Sequence, residues 1–230
     1  MHSSRYLQAA RCRLIDMKLT TEPYLKQKEI WPTEGRHILA HFDETSIVVH
    51  QAFRPDIGHF AASHGHFGGD FSFSRMSWFK PNFLWMMYRS GWGTKANQEV
   101  TLAVRIKREF FESVLEQAVP STYSASSYSN ETEWKRAVAS SCVRLQWDPD
   151  HSPSGASVQR RAIQLGLRDQ ILKEYAREAI IDIEDISNFV EEQRANAQPE
   201  NYEHLLMPVE RVYIPAKPEV VQRLELSTSD

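Results

Sequence analysis

The chain has 230 residues, of which 41% are apolar and 25% charged, a balance that is typical of globular proteins and argues against intrinsic disorder. The formal net charge is −3, so the surface as a whole does not attract polyanions and any basic patch must be local. No apolar run approaches the roughly 20 residues of a membrane span, and the N-terminus lacks the apolar centre of a signal peptide. We therefore expect a cytoplasmic or nuclear protein with no membrane partner.

No segment rich in Pro, Gly or Ser separates two halves of the chain, which favours a single domain. We expect an N-terminal arm over residues 1–37, one domain over residues 38–224 and a disordered tail over residues 225–230. Cys12 and Cys142 match no ligand spacing, so the sequence predicts neither a disulfide framework nor a zinc knuckle. A reducing compartment is the simpler inference.

The N-terminal arm carries Arg5, Arg11 and Arg13 and few acids, a composition that mitochondrial presequences share. Asp16 and the lack of a clear apolar face argue against a presequence. The expected structure is a frayed or docked arm.

Hydrophobic periodicity and the positions of Gly and Pro define the elements of the first half. Pro55 ends a β-rich run because proline cannot donate to a strand ladder. Pro81 suits the first turn of a helix and Gly91 suits its C-terminal cap. The predicted elements are a strand over residues 47–53, a short helix over 56–62, a loop through 68–69, a buried helix over 81–89 and a strand over 100–106.

The second half alternates between the same two periods and contains few clean βαβ repeats. Its predicted elements are a helix over residues 109–118, a loop over 121–130, a short helix at 134, a strand over 143–147, a turn at 148–150, a strand over 161–167, a helix over 169–178, a strand over 180–183, a helix from 189 and a strand over 209–214. We therefore predict an α+β fold, with mixed or antiparallel sheets and packed helices in a single domain.

The strongest chemical signal is a band of cations and aromatic rings within residues 54–95. Its members are Arg54, Arg75, Lys80, Arg89 and Lys95, interleaved with Trp78, Trp85, Tyr88 and Trp92. Guanidinium groups bind phosphate in pairs of hydrogen bonds and aromatic faces stack on bases, so the band suits a nucleotide or an exposed nucleic-acid base. The alternative is that the rings belong to the core and the cations are solvated. Arg89 favours a site, because a buried arginine at the end of an apolar helix needs an anionic partner.

Two further groups of residues, three histidines and two late carboxylates, are of types that can carry chemistry. His59, His64 and His66 lie close in sequence, but no fixed pattern of Cys, His or Asp accompanies them, so we assign no metal site. Glu184 and Glu210 lie in late strands, where a carboxylate can act as a general base or stabilise a cationic transition state. Glu210 beside Arg211 is equally consistent with a surface contact. The sequence contains no Walker loop, GxSxG or HExxH motif.

Five strings of sequence resemble the DUF 4291 family. They are residues 51–55 (QAFRP), 75–92 (RMSWFKPNFLWMMYRSGW), 145–149 (LQWDP), 163–167 (IQLGL) and 209–213 (VERVY). The resemblance extends from Ile38 to Leu224, and the long middle string is its most specific part. His50 stands where the family pattern leads us to expect Tyr, and Ser77 where it leads us to expect Thr. The family name implies no activity.

The order of parts is also similar to that of ADP-ribosyltransferases: a first strand with an Arg, then a hydroxyl and a helix, then a late strand with a carboxylate. That similarity implies a transferase that uses NAD and modifies a nucleobase or nucleic acid. The residues expected to bind the cofactor are His50, Arg54, Ser77, Trp78, Lys80, Tyr88 and Arg89. The residues expected to act in catalysis are Glu210, Glu184 and Gln164.

Two other interpretations remain open at this point. In the first, the protein is a non-catalytic module that stacks a base on Trp78, Trp85 or Trp92 and holds phosphate with nearby cations. In the second, the band is core and the chain is an interaction protein. A cleft that brings Arg54, Arg89 and a late carboxylate together would favour the enzyme.

Overall fold

A computed structural model describes residues 19–125 and 127–227. Arg5, Arg11, Cys12, Arg13 and Asp16 lie outside the described residues. The strands are β1 (Thr21–Pro23), β2 (Gly35–Arg36), β3 (Ile38–Ala40), β4 (Ser46–Phe53), β5 (Ser77–Phe79), β6 (Val100–Lys107), β7 (Val119–Pro120), β8 (Val143–His151), β9 (Ser157–Leu167), β10 (Ile180–Asp185), β11 (Leu206–Pro208) and β12 (Arg211–Tyr213).

The α-helices alternate irregularly with these strands. They are α1 (Tyr24–Lys28), α2 (Pro55–His64), α3 (Phe83–Ser90), α4 (Arg108–Gln117), α5 (Glu131–Ser140), α6 (Asp169–Glu174), α7 (Ser187–Arg194) and α8 (Pro218–Arg223). A π-helical turn, Tyr175–Ala179, extends α6, and a 3₁₀ segment, Pro199–His204, precedes β11.

Two sheets form the framework. In the first, β6 lies between β4 and β10, and both pairs are antiparallel. In the second, the long antiparallel pair of β8 and β9 lies between β7 on one side and β2 and β5 on the other. Because β2 and β5 pair with different parts of β9, they share one of its edges. The predicted α+β class is therefore confirmed.

The two sheets meet at one backbone bridge. The amide of His50 in β4 donates to the carbonyl of Lys80 at 2.7 Å, and the amide of Lys80 donates to the carbonyl of His50 at 3.1 Å. Lys80 directly follows β5, so this bridge links the first sheet to the second. It fixes the position at which the chain enters α3.

Apolar side chains form a core on each face of the first sheet. Ile47 and Val49 of β4 belong to the larger cluster, which also contains Phe111 of α4. Val48 belongs to the other cluster, where it packs with Phe83 of α3. Burial on both faces explains why Ile47, Val48 and Val49 form a continuous apolar run and do not alternate with polar residues.

Several predicted elements are confirmed. The strands predicted at 47–53, 100–106 and 161–167 correspond to β4, β6 and β9, and the helices predicted at 56–62 and 109–118 correspond to α2 and α4. Gly91 caps α3, as predicted, with a left-handed φ of 61°.

Two predictions about the middle of the chain were wrong. Residues 148–150 were predicted to form a turn, but β8 continues to His151, with an irregular register that accommodates Pro149. Residues 77–79 were not predicted as a strand; they form β5, which is too short to show a period.

The described part of the predicted N-terminal arm, residues 19–37, packs against the late strands. β1 pairs with β11, and the indole of Trp31 donates to the carbonyl of Glu210 at 3.0 Å. Within the predicted tail, the amide of Ser227 donates to the carbonyl of Arg36. None of the helices within residues 19–125 and 127–227 is long and apolar enough to cross a bilayer.

Gly58 of α2 tests the contact between this helix and the first sheet. A Cβ added to Gly58 would lie 2.4 Å from Cγ1 of Val100, a β-branched side chain in β6 that has little freedom to move. We expect Gly58→Ala to lower the free energy of unfolding by about 1–3 kcal/mol in urea titrations, although alanine favours helices. The exposed Ser63→Ala in the same helix is the control, and an equal effect of both changes would contradict this packing.

Candidate functional site

A cavity of about 970 Å³ lies where β4, β5, α3 and the β8–β9 pair meet. Its wall contains polar side chains from all of these elements. The lining residues are Gln51, Ala52, Phe53, Arg54, Ile57, Asp70, Phe71, Ser72, Arg75, Met76, Ser77, Trp78, Lys80, Met86, Arg89, Asn97, Gln98, Gln146 and Gln164. The volume is within the range of known small-molecule sites.

The structure brings most of the predicted site residues together here. Six of the ten line the cavity: Arg54, Ser77, Trp78, Lys80, Arg89 and Gln164. The other four, His50, Tyr88, Glu184 and Glu210, do not line it. The band of cations and rings is therefore divided between a cavity wall and other parts of the molecule.

One wall of the cavity is built from the alternating residues of β8 and β9. Gln146 and Gln164 are direct partners across the pair, and each amide donates to a different oxygen of Asp148, both at 2.7 Å. Their neighbours Leu145 and Leu165 point to the opposite face and into the core. The alternation could be read from the sequence, but the hydrogen bonds that both glutamines donate to Asp148 could not.

Trp78 reaches the cavity because Gly166 stands opposite it on β9. The two residues are register partners, and a Cβ on Gly166 would lie 2.8 Å from Cε2 of Trp78 and 2.6 Å from Sδ of Met76. Only glycine allows the indole to lie this close to the strand. Gly166 is thus part of the site, although it carries no side chain.

Lys80 lies in the cavity wall with 4% of its surface exposed. Its Nζ makes no hydrogen bond or ion pair within the described part of the chain. Burial, helped by the charge of Arg89 and opposed by that of Asp148, lowers the pKa of Lys80 to about 8. A substantial fraction of the amine is therefore neutral near physiological pH.

The arginines at the cavity differ in how far they are already paired. Arg54 donates to Asp70 at 2.6 Å, so an internal carboxylate neutralises it. The expectation that Arg89 is buried was wrong, because the side chain extends from the end of α3 to the surface; it makes a 3.5 Å contact with the neutral amide oxygen of Gln98. Arg75 is exposed and has no hydrogen bond or ion pair in the ranges that the structure describes. Arg75 and Arg89 therefore have guanidinium donors available for a ligand.

Gln51 was not predicted as a site residue, yet it positions the floor of the cavity. Its amide donates to the hydroxyl of Ser77 and to the carbonyl of Trp78, both at 3.0 Å. Its oxygen accepts from the hydroxyl of Tyr175 at 2.7 Å. All of its bonding groups are occupied inside the protein, so it has a positioning role.

Glu210 is 0% exposed and lies at the N-terminus of α3. One oxygen accepts from the amide of Phe83 at 2.6 Å, and the other accepts from the side chain of Asn82 at 3.4 Å. Burial raises the pKa of Glu210 to about 8, and the bond from Phe83 opposes that rise. This geometry is that of a helix-capping residue, not of a group in contact with a cavity ligand.

The remaining predicted residues lie elsewhere. Glu184 is half-buried in β10, where it pairs with Ala103 of β6. His50 is fully buried, with its ring edge against Phe83, and burial lowers its pKa to about 3. Tyr88 is 43% exposed and stacks on His151.

The other members of the band are structural. Trp92 belongs to the second core cluster, and Trp85 is buried with its ring stacked on His151, so neither offers a face to a base. Lys95 donates to the carbonyls of Tyr88 and Arg89 at the end of α3. For these residues the interpretation as core and helix ends was the right one.

No group of three or more potential metal ligands from His, Cys, Asp and Glu occurs within residues 19–125 and 127–227. His64 stacks on Phe60, and His59 lies 3.7 Å from Asp185. Cys142 is half-buried, with its sulfur 3.9 Å from an oxygen of Asp169.

A family model described as a domain of unknown function, DUF4291, matches residues 37–213. The chain belongs to the DUF4291 family. No curated protein matches it. Every residue that lines the cavity lies within the range matched by the DUF4291 model, so the cavity is part of the family's domain and not of an extension to it.

The raised pKa of Glu210 makes a pH-dependent contribution to stability. Because the pKa is about 8 in the folded state and near 4.5 in the unfolded state, the contribution is present below pH 4.5 and is lost as the pH rises through 8. We expect Glu210→Gln to be more stable than the wild type above pH 8 and to lose less stability between pH 5 and 9. Thermal melting across this range measures the effect, and identical pH profiles would contradict it.

The lowered pKa of Lys80 makes stability change with pH in the opposite direction. The buried ammonium destabilises the fold below pH 8, and this cost fades as the pH approaches 10.5, the value of the unfolded state. We expect Lys80→Met to raise the free energy of unfolding by about 3 kcal/mol at pH 7 and by much less at pH 10. Lys135→Met, at an exposed position, is the control, and a gain that does not depend on pH would contradict the burial of a charged amine.

Proposed function

We propose that the DUF4291 cavity binds a nucleotide, with phosphate held by Arg75 and Arg89 and the base packed against Trp78. The observation that carries the proposal is the imbalance of charge at the cavity. Four cationic side chains line it, and Asp70 is the one carboxylate among the described lining residues. Asp70 is already bound to Arg54.

Arg75 and Arg89 are exposed and have no carboxylate partner within the described residues, so their guanidinium donors can form charge-assisted hydrogen bonds to an anionic ligand. Desolvation adds to this preference at Lys80, which is almost fully buried and costly to leave unpaired. A phosphate group offers several acceptor oxygens to such donors. Trp78 adds a flat apolar surface at the same cavity, which suits a base or another aromatic ring. A nucleotide combines both features, and the volume can hold one.

Calorimetric titration with ADP and with NAD tests the proposal. We expect Arg89→Ala and Arg75→Ala each to weaken binding by about 10- to 100-fold, the cost of a lost charge-assisted hydrogen bond. Arg54→Ala should have a smaller effect, since Asp70 already neutralises Arg54. Lys135→Ala, far from the cavity in sequence and paired with Glu131, is the control.

Binding should also weaken as the salt concentration rises, because the contacts to phosphate are charged. Equal affinity of all four variants for both nucleotides, or no binding by the wild type, would contradict the proposal. A single-stranded oligonucleotide added as a competitor distinguishes a free nucleotide from nucleic acid as the natural partner.

A second candidate function is transfer of the ADP-ribosyl group from NAD, and Asp148 supports it. When the bond between nicotinamide and the ribose breaks, nicotinamide leaves with the electron pair and positive charge develops on the sugar. A carboxylate beside the ribose stabilises that charge. Glu210 and Glu184 do not line the cavity. Asp148 is not a lining residue either, but it accepts hydrogen bonds from two residues that are, Gln146 and Gln164.

Release of nicotinamide from NAD, measured with and without nucleic acid, tests this second function. We expect Asp148→Asn to abolish release and Glu210→Gln to retain it, because Glu210 is committed to α3. Release that survives Asp148→Asn but is lost in Glu210→Gln would reverse the assignment. If no nicotinamide is released with or without nucleic acid, the protein does not transfer ADP-ribose, and the proposal of nucleotide binding is unaffected.

A further inference from the structure

Lys80 combines three properties that structural lysines rarely share. It is almost fully buried, it lines an open polar cavity, and its amine has no partner within the described residues. A buried lysine is ordinarily paired with a carboxylate, because the unpaired ammonium is costly in the interior. The fold therefore carries a destabilising group at a place where a ligand can reach it.

The surroundings of the amine as a whole favour its neutral form. Arg89 of α3 opposes protonation and Asp148 of β8 favours it, and burial has the largest effect. Arg54, Asp70 and Arg75 are the other charged groups in the cavity wall. A neutral amine has a free electron pair, which is what a nucleophile requires.

We propose that Lys80 is the nucleophile of the cavity, and that it forms an imine with an aldehyde or ketone that carries a phosphate group. The nitrogen attacks the carbonyl carbon, and the carbonyl oxygen leaves as water with the two protons of the amine. No electrons are transferred to or from a further reagent. The protonated imine is a cation, and Asp148 is the carboxylate placed to stabilise it.

The class of substrate is inferred from the other charged residues that line the cavity. The imine fixes the reacting carbon at Lys80, and the unpaired guanidinium groups of Arg75 and Arg89 hold the phosphate. Gln146 and Gln164 are already bound to Asp148, so they keep the carboxylate in place. This activity goes beyond nucleotide binding, because it concerns a covalent bond to Lys80.

Pyridoxal 5′-phosphate is a suitable probe, since it carries an aldehyde, an aromatic ring and a phosphate. After incubation of the full chain, borohydride converts the imine into a stable secondary amine, and peptide mapping by mass spectrometry locates it. We expect Lys80 to be labelled at least tenfold faster than the exposed Lys95 at pH 8. The rate should rise as the pH passes through about 8.

Two variants and a second probe sharpen the test. Lys80→Arg should remove the fast labelling and Lys95→Arg should leave it unchanged. Arg89→Ala should slow the reaction of pyridoxal 5′-phosphate but not that of pyridoxal, which lacks the phosphate. If Lys80→Arg fails to fold, peptide mapping of the wild type still decides between Lys80 and the other lysines.

Labelling of Lys80 no faster than Lys95, or none at all, would overturn the proposal. Equal rates for pyridoxal and pyridoxal 5′-phosphate would overturn the assignment of a phosphorylated substrate. The result is distinguishable from that of the nucleotide titrations. A protein that fails to bind ADP or NAD can still be labelled at Lys80, and a protein that binds them tightly can lack a reactive amine.

Discussion

The pair of backbone hydrogen bonds between His50 and Lys80 is the constraint on which the cavity depends. It joins the β4 edge of one sheet to the residue that follows β5 in the other. It also determines that the side chain of Lys80 lies among polar groups, while the ring of His50 packs against Phe83 in the core. The side chain of Lys80 therefore lies at the cavity, and that of His50, its partner in the bridge, lies in the core.

Two buried titratable residues near this junction have different roles. Glu210 is satisfied by groups of α3 and fixes where that helix begins, which in turn places Arg89 at the cavity. The amine of Lys80 has no such partner among the described residues. A buried polar group that is fully bonded supports the fold, whereas one that faces a cavity without a partner lowers stability and is available to a ligand.

Much of the fold was accessible from the sequence, because long elements such as β4, β6, α2 and α4 carry clear apolar periods. The short strand β5 was not, since three residues show no period and its pairing with β9 comes from distant contacts. The extension of β8 through Pro149 was also missed, because a bulge and a turn use the same residue types. Five members of the band line one cavity, namely Arg54, Arg75, Trp78, Lys80 and Arg89. The band could not separate Trp78 from the buried Trp85 and Trp92, because sequence does not show that Gly166 lies opposite only one of them. The sequence also could not reveal that Glu210 is a helix cap or that two glutamines from different strands donate to Asp148.

We propose that unpaired cations and the partly exposed ring of Trp78 form an anion site at the junction of the two sheets. A crystal structure with bound ADP tests it most directly. We expect phosphate oxygens within hydrogen-bond distance of the guanidinium groups of Arg75 or Arg89, and the adenine ring in contact with Trp78. Nucleotide bound on the outer stack of Tyr88 and His151, with the cavity empty, would contradict it.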